Sequence, residues 1–266
     1  MVLSDVPSRP LRELPLGLAV GVLSGLFGIG GGALAVPGLL WLQLSQHAAH
    51  ATSLAAIVLT AAAAVIPFAA DGAVDPLAAL ALVAGSLAGV SLGAGFMHRI
   101  PANGLRLAFV AFLAVVAVRM LVGIELDRDA HVPDLEAVHV LLLLGVGLVT
   151  GILSALLGVG GGIVLVPALV LGFEFSQHAA EGTSLAVIVP TALLGAARHT
   201  RRGYTHWRTG MTVGAGGVAG GIGGAVLALG LDGLLLQRLF AGFLILMSLY
   251  LLLRGAGEPT AEDAGS

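Results

Sequence analysis

Apolar positions come in long blocks, near 14–44, 51–70, 76–97, 104–124, 138–172, 182–197, 208–230 and 234–253, parted by short polar stretches. A helix that crosses a bilayer needs roughly 20 apolar residues, so the pattern predicts eight membrane segments and leaves no stretch for a soluble domain. The first and fifth blocks are longer than one crossing, and each is interrupted near its middle by glycines: Gly28, Gly30, Gly31 and Gly32 in one, Gly158, Gly160, Gly161 and Gly162 in the other. Each interior Gly costs a helix up to about 1 kcal/mol against Ala, so four in five residues break it. The prediction is a pair of half-helices at 16–27 and 33–42, and another at 146–157 and 163–172, with Pro37 and Pro167 about one turn into the second half.

The two broken blocks are copies. Residues 17–37 match 147–167 at 12 of 21 positions with an offset of 130, and 45–60 match 176–191 at 12 of 16 with an offset of 131. The register continues: Gly85, Gly89 and Gly93 fall on Gly216, Gly220 and Gly224, and Phe109 on Phe240. This divides the chain into an N-terminal membrane repeat (1–124), a polar linker (125–137), a C-terminal membrane repeat (138–255) and a polar tail (256–266). Duplicated helical modules with broken segments are a sequence mark of secondary transporters. Arg9 and Arg12 ahead of an apolar run, with Ala33-Leu34-Ala35 after it, imitate a signal peptide. The same segment recurs deep in the chain, where no signal peptidase acts, so it is part of the fold.

Composition agrees: 58% of the 266 residues are hydrophobic and 10% charged, the mean hydropathy is +1.03, and soluble domains carry about 25% charged residues. Cysteine is absent, which excludes disulfides, thiolate metal sites and cysteine nucleophiles. The net charge of −3 and the lack of a basic run give no footing for nucleic acid. The basic residues are all Arg, and their distribution bears on topology. If each broken segment re-enters, the modules are inverted and nine Arg lie on one side against two on the other; if each crosses fully, the modules are parallel and the count is eight to three. The positive-inside rule favours inversion by that margin. Both arrangements put the two termini in the cytoplasm.

In hydrocarbon, unwound backbone is tolerated only against protein or a water-lined cavity. At both breaks the second half-helix would begin with unpaired N–H groups and the positive end of a dipole, which favour an anion; two such ends meeting at a pseudo-two-fold axis would make a midplane site. The alternative is that the glycines serve only close packing or a kink. A dinucleotide fingerprint is excluded, since no strand precedes the glycines and no acidic residue follows at the required distance. The second matched set is Ser45-Gln46-His47 with Thr52-Ser53, paired with Ser176-Gln177-His178 and Thr183-Ser184. Thr52, Ser53, Thr183 and Ser184 could donate to an oxyanion or cap their own helices. His47 and His178 could relay protons or bond a loop. The glycine runs Gly85/Gly89/Gly93 and Gly216/Gly220/Gly224 read as helix-packing faces, and Arg198, His199, Arg201 and Arg202 as a topology signal. No carboxylate lies mid-span, which argues against sodium, calcium or strongly proton-coupled cation transport. Ser24 and Ser154 are matched, but neither has a base at membrane depth, so proteolysis is disfavoured.

The repeated Gly-x-Gly-Gly-Gly, Pro and Thr-Ser-Leu elements make residues 11–255 resemble the TauE/SafE family of sulfite exporters and related permeases. The resemblance implies a secondary transporter of sulfite, sulfoacetate or another small anion, and no enzyme. It carries over Gly28, Gly30, Gly31, Gly32, Pro37, Thr52 and Ser53, with Gly158, Gly160, Gly161, Gly162, Pro167, Thr183 and Ser184; between halves Gly25 becomes Ala155. The expectation is an all-α membrane protein of the inner membrane with six to eight segments in two inverted modules. Its partners are the bilayer and an anionic solute, with no cofactor or metal. An anion channel and a non-transporting scaffold are the alternatives.

Overall fold

A computed structural model of the chain describes residues 10–96, 102–122, 137–157, 161–201 and 203–255. Among these there are ten helices: α1 (Pro10–Phe27), α2 (Gly32–Trp41), α3 (Gln46–Ala70), α4 (Pro76–Phe96), α5 (Ala102–Val122), α6 (Ala137–Leu157), α7 (Gly162–Gly172), α8 (Gln177–Arg201), α9 (Trp207–Leu229) and α10 (Gly233–Gly255). Most of the linker, the tail, Gly158 and Gly160 lie outside the described residues.

The breaks fall where the glycines put them. α1 stops at Phe27 because Gly28, Gly30 and Gly31 take φ of +65°, +71° and +77°, a region that costs an L-residue about 1–2 kcal/mol each. The chain then reverses. A side chain at Gly31 would strike Val20 and one at Gly38 would strike Leu16, so α2 runs back along α1. The Arg12 guanidinium lies 5.9 Å from the centre of the Trp41 ring, closing the open end of the hairpin. In the second module a Cβ at Gly161 would meet Thr150, and the His139 and Phe173 rings lie 6.4 Å apart, so α7 doubles back on α6. The broken segments are therefore re-entrant hairpins. Pro37 and Pro167 are the sixth residues of α2 and α7, somewhat deeper than expected.

The modules are inverted. α3 and its repeat α8 run antiparallel, with Gly182 against Phe68 and Ala73 at one end and Gly195 against Leu54 towards the other. α5 and α10 are antiparallel too: Gln237 Nε2 donates to the Met120 carbonyl at 2.9 Å, and Ser248 Oγ to that of Val110 at 3.4 Å.

The modules also interlock. The fourth helix of each lies parallel to the first helix of the other, α9 on α1 and α4 on α6. A Cβ at Gly216, Gly220 or Gly224 would run into the carbonyls of Leu14, Leu18 or Val22, while one at Gly17, Gly21 or Gly25 would run into those of Val213, Gly217 or Gly221. Gly85 and Gly89 bear in the same way on Leu144 and Leu148, and Gly147 and Gly151 on Leu82 and Ser86. Small residues on both partners let the backbones touch, which in lipid substitutes for a hydrophobic driving force.

Among the described residues six helices, α1, α3, α8, α9, α10 and residues 137–154 of α6, are long and apolar enough to cross a membrane. The 25 residues of α3 and of α8 rise about 37 Å, past a core of about 30 Å. Leu80, Val122, Leu141, Leu246 and Leu253 are each at least two-thirds exposed, as a lipid-facing surface requires. This is a multi-pass helical membrane protein.

Candidate functional site where the hairpin tips meet

The two hairpins point at each other. A Cβ at Gly162, the first residue of α7, would lie 2.5 Å from the Ile29 Cα and 2.8 Å from the Gly28 carbonyl oxygen, so the N-terminus of α7 abuts the first tip. A Cβ at Gly30 would come within 2.7 Å of Ile188, one residue from the middle of α8. The first tip and the start of α7 therefore meet alongside α8, between Glu181 and Ile188. Gly28, Gly30, Gly31, Gly32 and Gly162 are all buried, and Gly161 is partly so.

Neither re-entrant half-helix is capped by a side chain: Gly31 and Gly161 stand at the N-cap positions of α2 and α7. Each cap glycine instead has a hydroxyl-bearing residue against it. The Ser24 Cβ is 3.4 Å from where a Gly31 Cβ would sit, and the Thr150 Cγ2 is 2.9 Å from where a Gly161 Cβ would sit. Ser24 and Thr150 are fully buried, and their hydroxyls, like that of Ser184, make no hydrogen bond among the described residues. Buried polar atoms are nearly always paired, so orphans at two matched helix starts mark a place where something polar can be held. Sequence reasoning noted Ser24 only as a repeat match and passed over Thr150, whose counterpart at the 130 offset is Val20.

The remaining candidates divide. Ser45 and Ser176 cap α3 and α8, accepting from the Ala48 N–H at 3.4 Å and the Ala179 N–H at 3.2 Å. Thr52 and Thr183 do not cap those helix starts. Thr183 Oγ1 accepts from the Asp75 N–H at 3.0 Å, and Thr52 Oγ1 from the His206 N–H at 3.1 Å. Asp75 and His206 are themselves 131 residues apart, so one symmetric contact is made twice, and each ties a module to the other's α3–α4 or α8–α9 connection. Ser53 donates to the His50 carbonyl at 2.9 Å. His47 is exposed, its ring 5.8 Å from that of Tyr204. His178 Nε2 lies 3.0 Å from the Ala228 carbonyl oxygen, holding the start of α8 to the end of α9.

Three acidic side chains close to helix starts are buried: Asp75, just ahead of α4, and, inside their helices, Glu13 at 3% and Glu181 at 0% exposure. Thr209 donates to Glu13 Oε1 at 3.3 Å, and Gln177 Nε2 to Glu181 Oε1 at 2.8 Å. Both escaped notice in the sequence because each lies within about a turn and a half of a helix start, where a carboxylate usually reaches water. No group of three or more His, Asp or Glu among the described residues could hold a metal ion.

With this geometry in place, the comparisons with known proteins are decisive. The family model described as "Sulfite exporter TauE/SafE" matches residues 4–121 and 143–265, one interval in each repeat. The chain belongs to the TauE/SafE family. It is 31% identical over 244 residues to a Xylella fastidiosa protein called "Probable membrane transporter protein", covering 88% of this chain and 92% of that one. It is 27% identical over 234 residues to the Bacillus subtilis "Probable membrane transporter protein YunE", covering 80% and 86%. An archaeal relative, "Probable membrane transporter protein MJ0441" of Methanocaldococcus jannaschii, is 30% identical over 197 residues, covering 70% and 72%. No solved structure matches. This TauE/SafE chain is a membrane transporter, of a family that is not an enzyme family.

Proposed function

We propose that the protein is a secondary transporter of a small anion, sulfite or a related organosulfur or carboxylate anion, bound where the two hairpin tips meet. The observation that carries the reading is the pairing of two helix N-termini without a side-chain cap with two buried hydroxyls, at Ser24 and Thr150, that make no hydrogen bond among the described residues. A helix start offers N–H donors and a positive dipole end, and the hydroxyls add neutral donors that hold an oxyanion without trapping it against a fixed cation. Gly28, Gly30, Gly31, Gly32, Gly161 and Gly162 let the backbone itself line the site. Thr52 and Thr183 act from a distance by tying the connections together. Transport follows if the two interlocked modules rock about the tips, opening the site to each side in turn.

Arg12, Arg198, Arg201 and Arg208 lie near the same end, shared by the starts of α1 and α9 and the end of α8. By the positive-inside rule that end faces the cytoplasm of an inner membrane, with both termini there. The test is sulfite efflux from proteoliposomes. Gly31→Leu and Gly161→Leu abolish efflux on this reading, and either variant transporting like the parent removes the proposed site.

A further inference from the structure

We propose that Glu181 is the proton-binding group through which anion movement is coupled to protons, a reading that rests on the anion site above. Glu181 has no exposed surface, and its second oxygen, Oε2, makes no hydrogen bond among the described residues. It also touches the first hairpin tip. A Cβ at Gly28, the first residue of the unwound tip, would come within 2.5 Å of the Glu181 Cα and 2.7 Å of its Cβ. The backbone that carries the Glu181 side chain is thus in direct contact with the tip, so a displacement of the tip alters the surroundings of that carboxyl group. An isolated charge at membrane depth is expensive, and intramembrane acidic groups commonly mark ion pathways.

Among the described residues, the elements packed against α8 bring no Arg to its start. α8 packs against α3, α4, α7 and α10. The titratable groups these elements bring near the start of α8 are Asp71 and Asp75 at the α3–α4 turn, Glu174 before α8, and Asp232 before α10, with His178 on α8 itself. α7 and the first tip carry none, and the nearest arginine along α10, Arg238, is exposed. Asp75 is already engaged, its Oδ1 accepting from the Ala78 N–H at 2.8 Å, and His178 is held to the Ala228 carbonyl. The repeat position of Glu181 is His50, so both modules place a titratable side chain at this point.

An anion at the tip and a charged Glu181 repel each other, so the site fills when a proton sits on Oε2 and empties after that proton leaves to the opposite side. Proton and anion then travel together. Net uptake under a pH gradient is therefore an experiment on Glu181, whereas exchange of anion for anion is not.

The parent, Glu181→Gln and Glu181→Asp are reconstituted in liposomes, and sulfite is the probe. A gradient of about one pH unit drives about tenfold accumulation for one coupled proton in the parent and about none in Glu181→Gln, with sulfite–sulfite exchange kept in both. Glu181→Asp retains part of the pH response. Uptake in Glu181→Gln that follows pH as in the parent overturns the inference and leaves the anion site standing. Absence of any sulfite movement in the parent instead overturns the sulfite reading. In that case infrared difference spectra of the purified protein still decide. A protonated-carboxyl band that changes with pH and vanishes in Glu181→Gln supports the proposal; no such band refutes it.

Discussion

Replacing Gly28 by Ala tests whether the first tip is pressed onto α8. The methyl group would sit 2.5 Å from the Glu181 Cα, 2.7 Å from its Cβ and 2.8 Å from its carbonyl oxygen. Carbon–carbon contacts are comfortable at about 3.5–4.0 Å, so tip and helix must part by about 1 Å. Since the Glu181 Cα is backbone of a 25-residue helix and not a mobile side-chain end, the tip has to give way. Overpacking of this sort costs about 1–3 kcal/mol. The φ of +65° adds about 1–2 kcal/mol for a residue with a Cβ. The sum is about 2–5 kcal/mol. Gly72 is the control: its φ is +75°, but nothing lies within 4 Å of its Cβ position, so Gly72→Ala incurs only the strain of about 1–2 kcal/mol. Equilibrium unfolding in mixed detergent micelles, followed by the fluorescence of Trp41 and Trp207, compares the two. Gly28→Ala unfolding at the same denaturant fraction as Gly72→Ala would show that the tip does not bear on α8.

Three further outcomes follow from the packing. Thr183→Val leaves the buried Asp75 N–H without its acceptor and lowers stability by about 1–3 kcal/mol, whereas Thr183→Ser is nearly neutral; equal losses for the two in the same unfolding assay would rule out the hydrogen bond. Single cysteines at Gly72 and Gly203, in a chain that has none, label from opposite sides of oriented vesicles, and labelling from one side would contradict inversion. Gly220→Leu, whose side chain would enter the Leu18 carbonyl, separates α9 from α1. It lowers the yield of folded protein in size-exclusion chromatography far more than Gly223→Leu, which has open space; similar yields would show that the glycine faces do not hold the modules together.

Much of this was legible in the amino-acid pattern. Four glycines in five residues stop a helix whatever surrounds them, so Phe27 and Gly32, and Leu157 and Gly162, end and restart helices within a residue of the expected positions. The offsets of 130 and 131 carried the modular plan because side chains repeat with the fold. The course of the chain after each break was not legible, since a half-helix that reverses and one that continues have the same apolar pattern. The packing of Gly31 on Val20 and of Gly38 on Leu16 distinguishes them. The partners of Thr52 and Thr183 were hidden for another reason: Asp75 and His206 lie 108 and 154 residues from them in sequence. The glycines of α9 were readable as a packing face, but that they seat on the other module's first helix depends on the interlock. Glu181 shows the limit of reading by repeat, because its matched residue is His50 and a comparison of identities passes over it.

The most direct test of the central claim is counterflow of radiolabelled sulfite in proteoliposomes preloaded with unlabelled sulfite. A site at the meeting of two hairpin tips, open to one side at a time, predicts a transient rise of label above equilibrium that saturates with concentration and is absent in Gly31→Leu and Gly161→Leu. Flux that rises linearly without counterflow, or counterflow that survives both substitutions, would contradict the account.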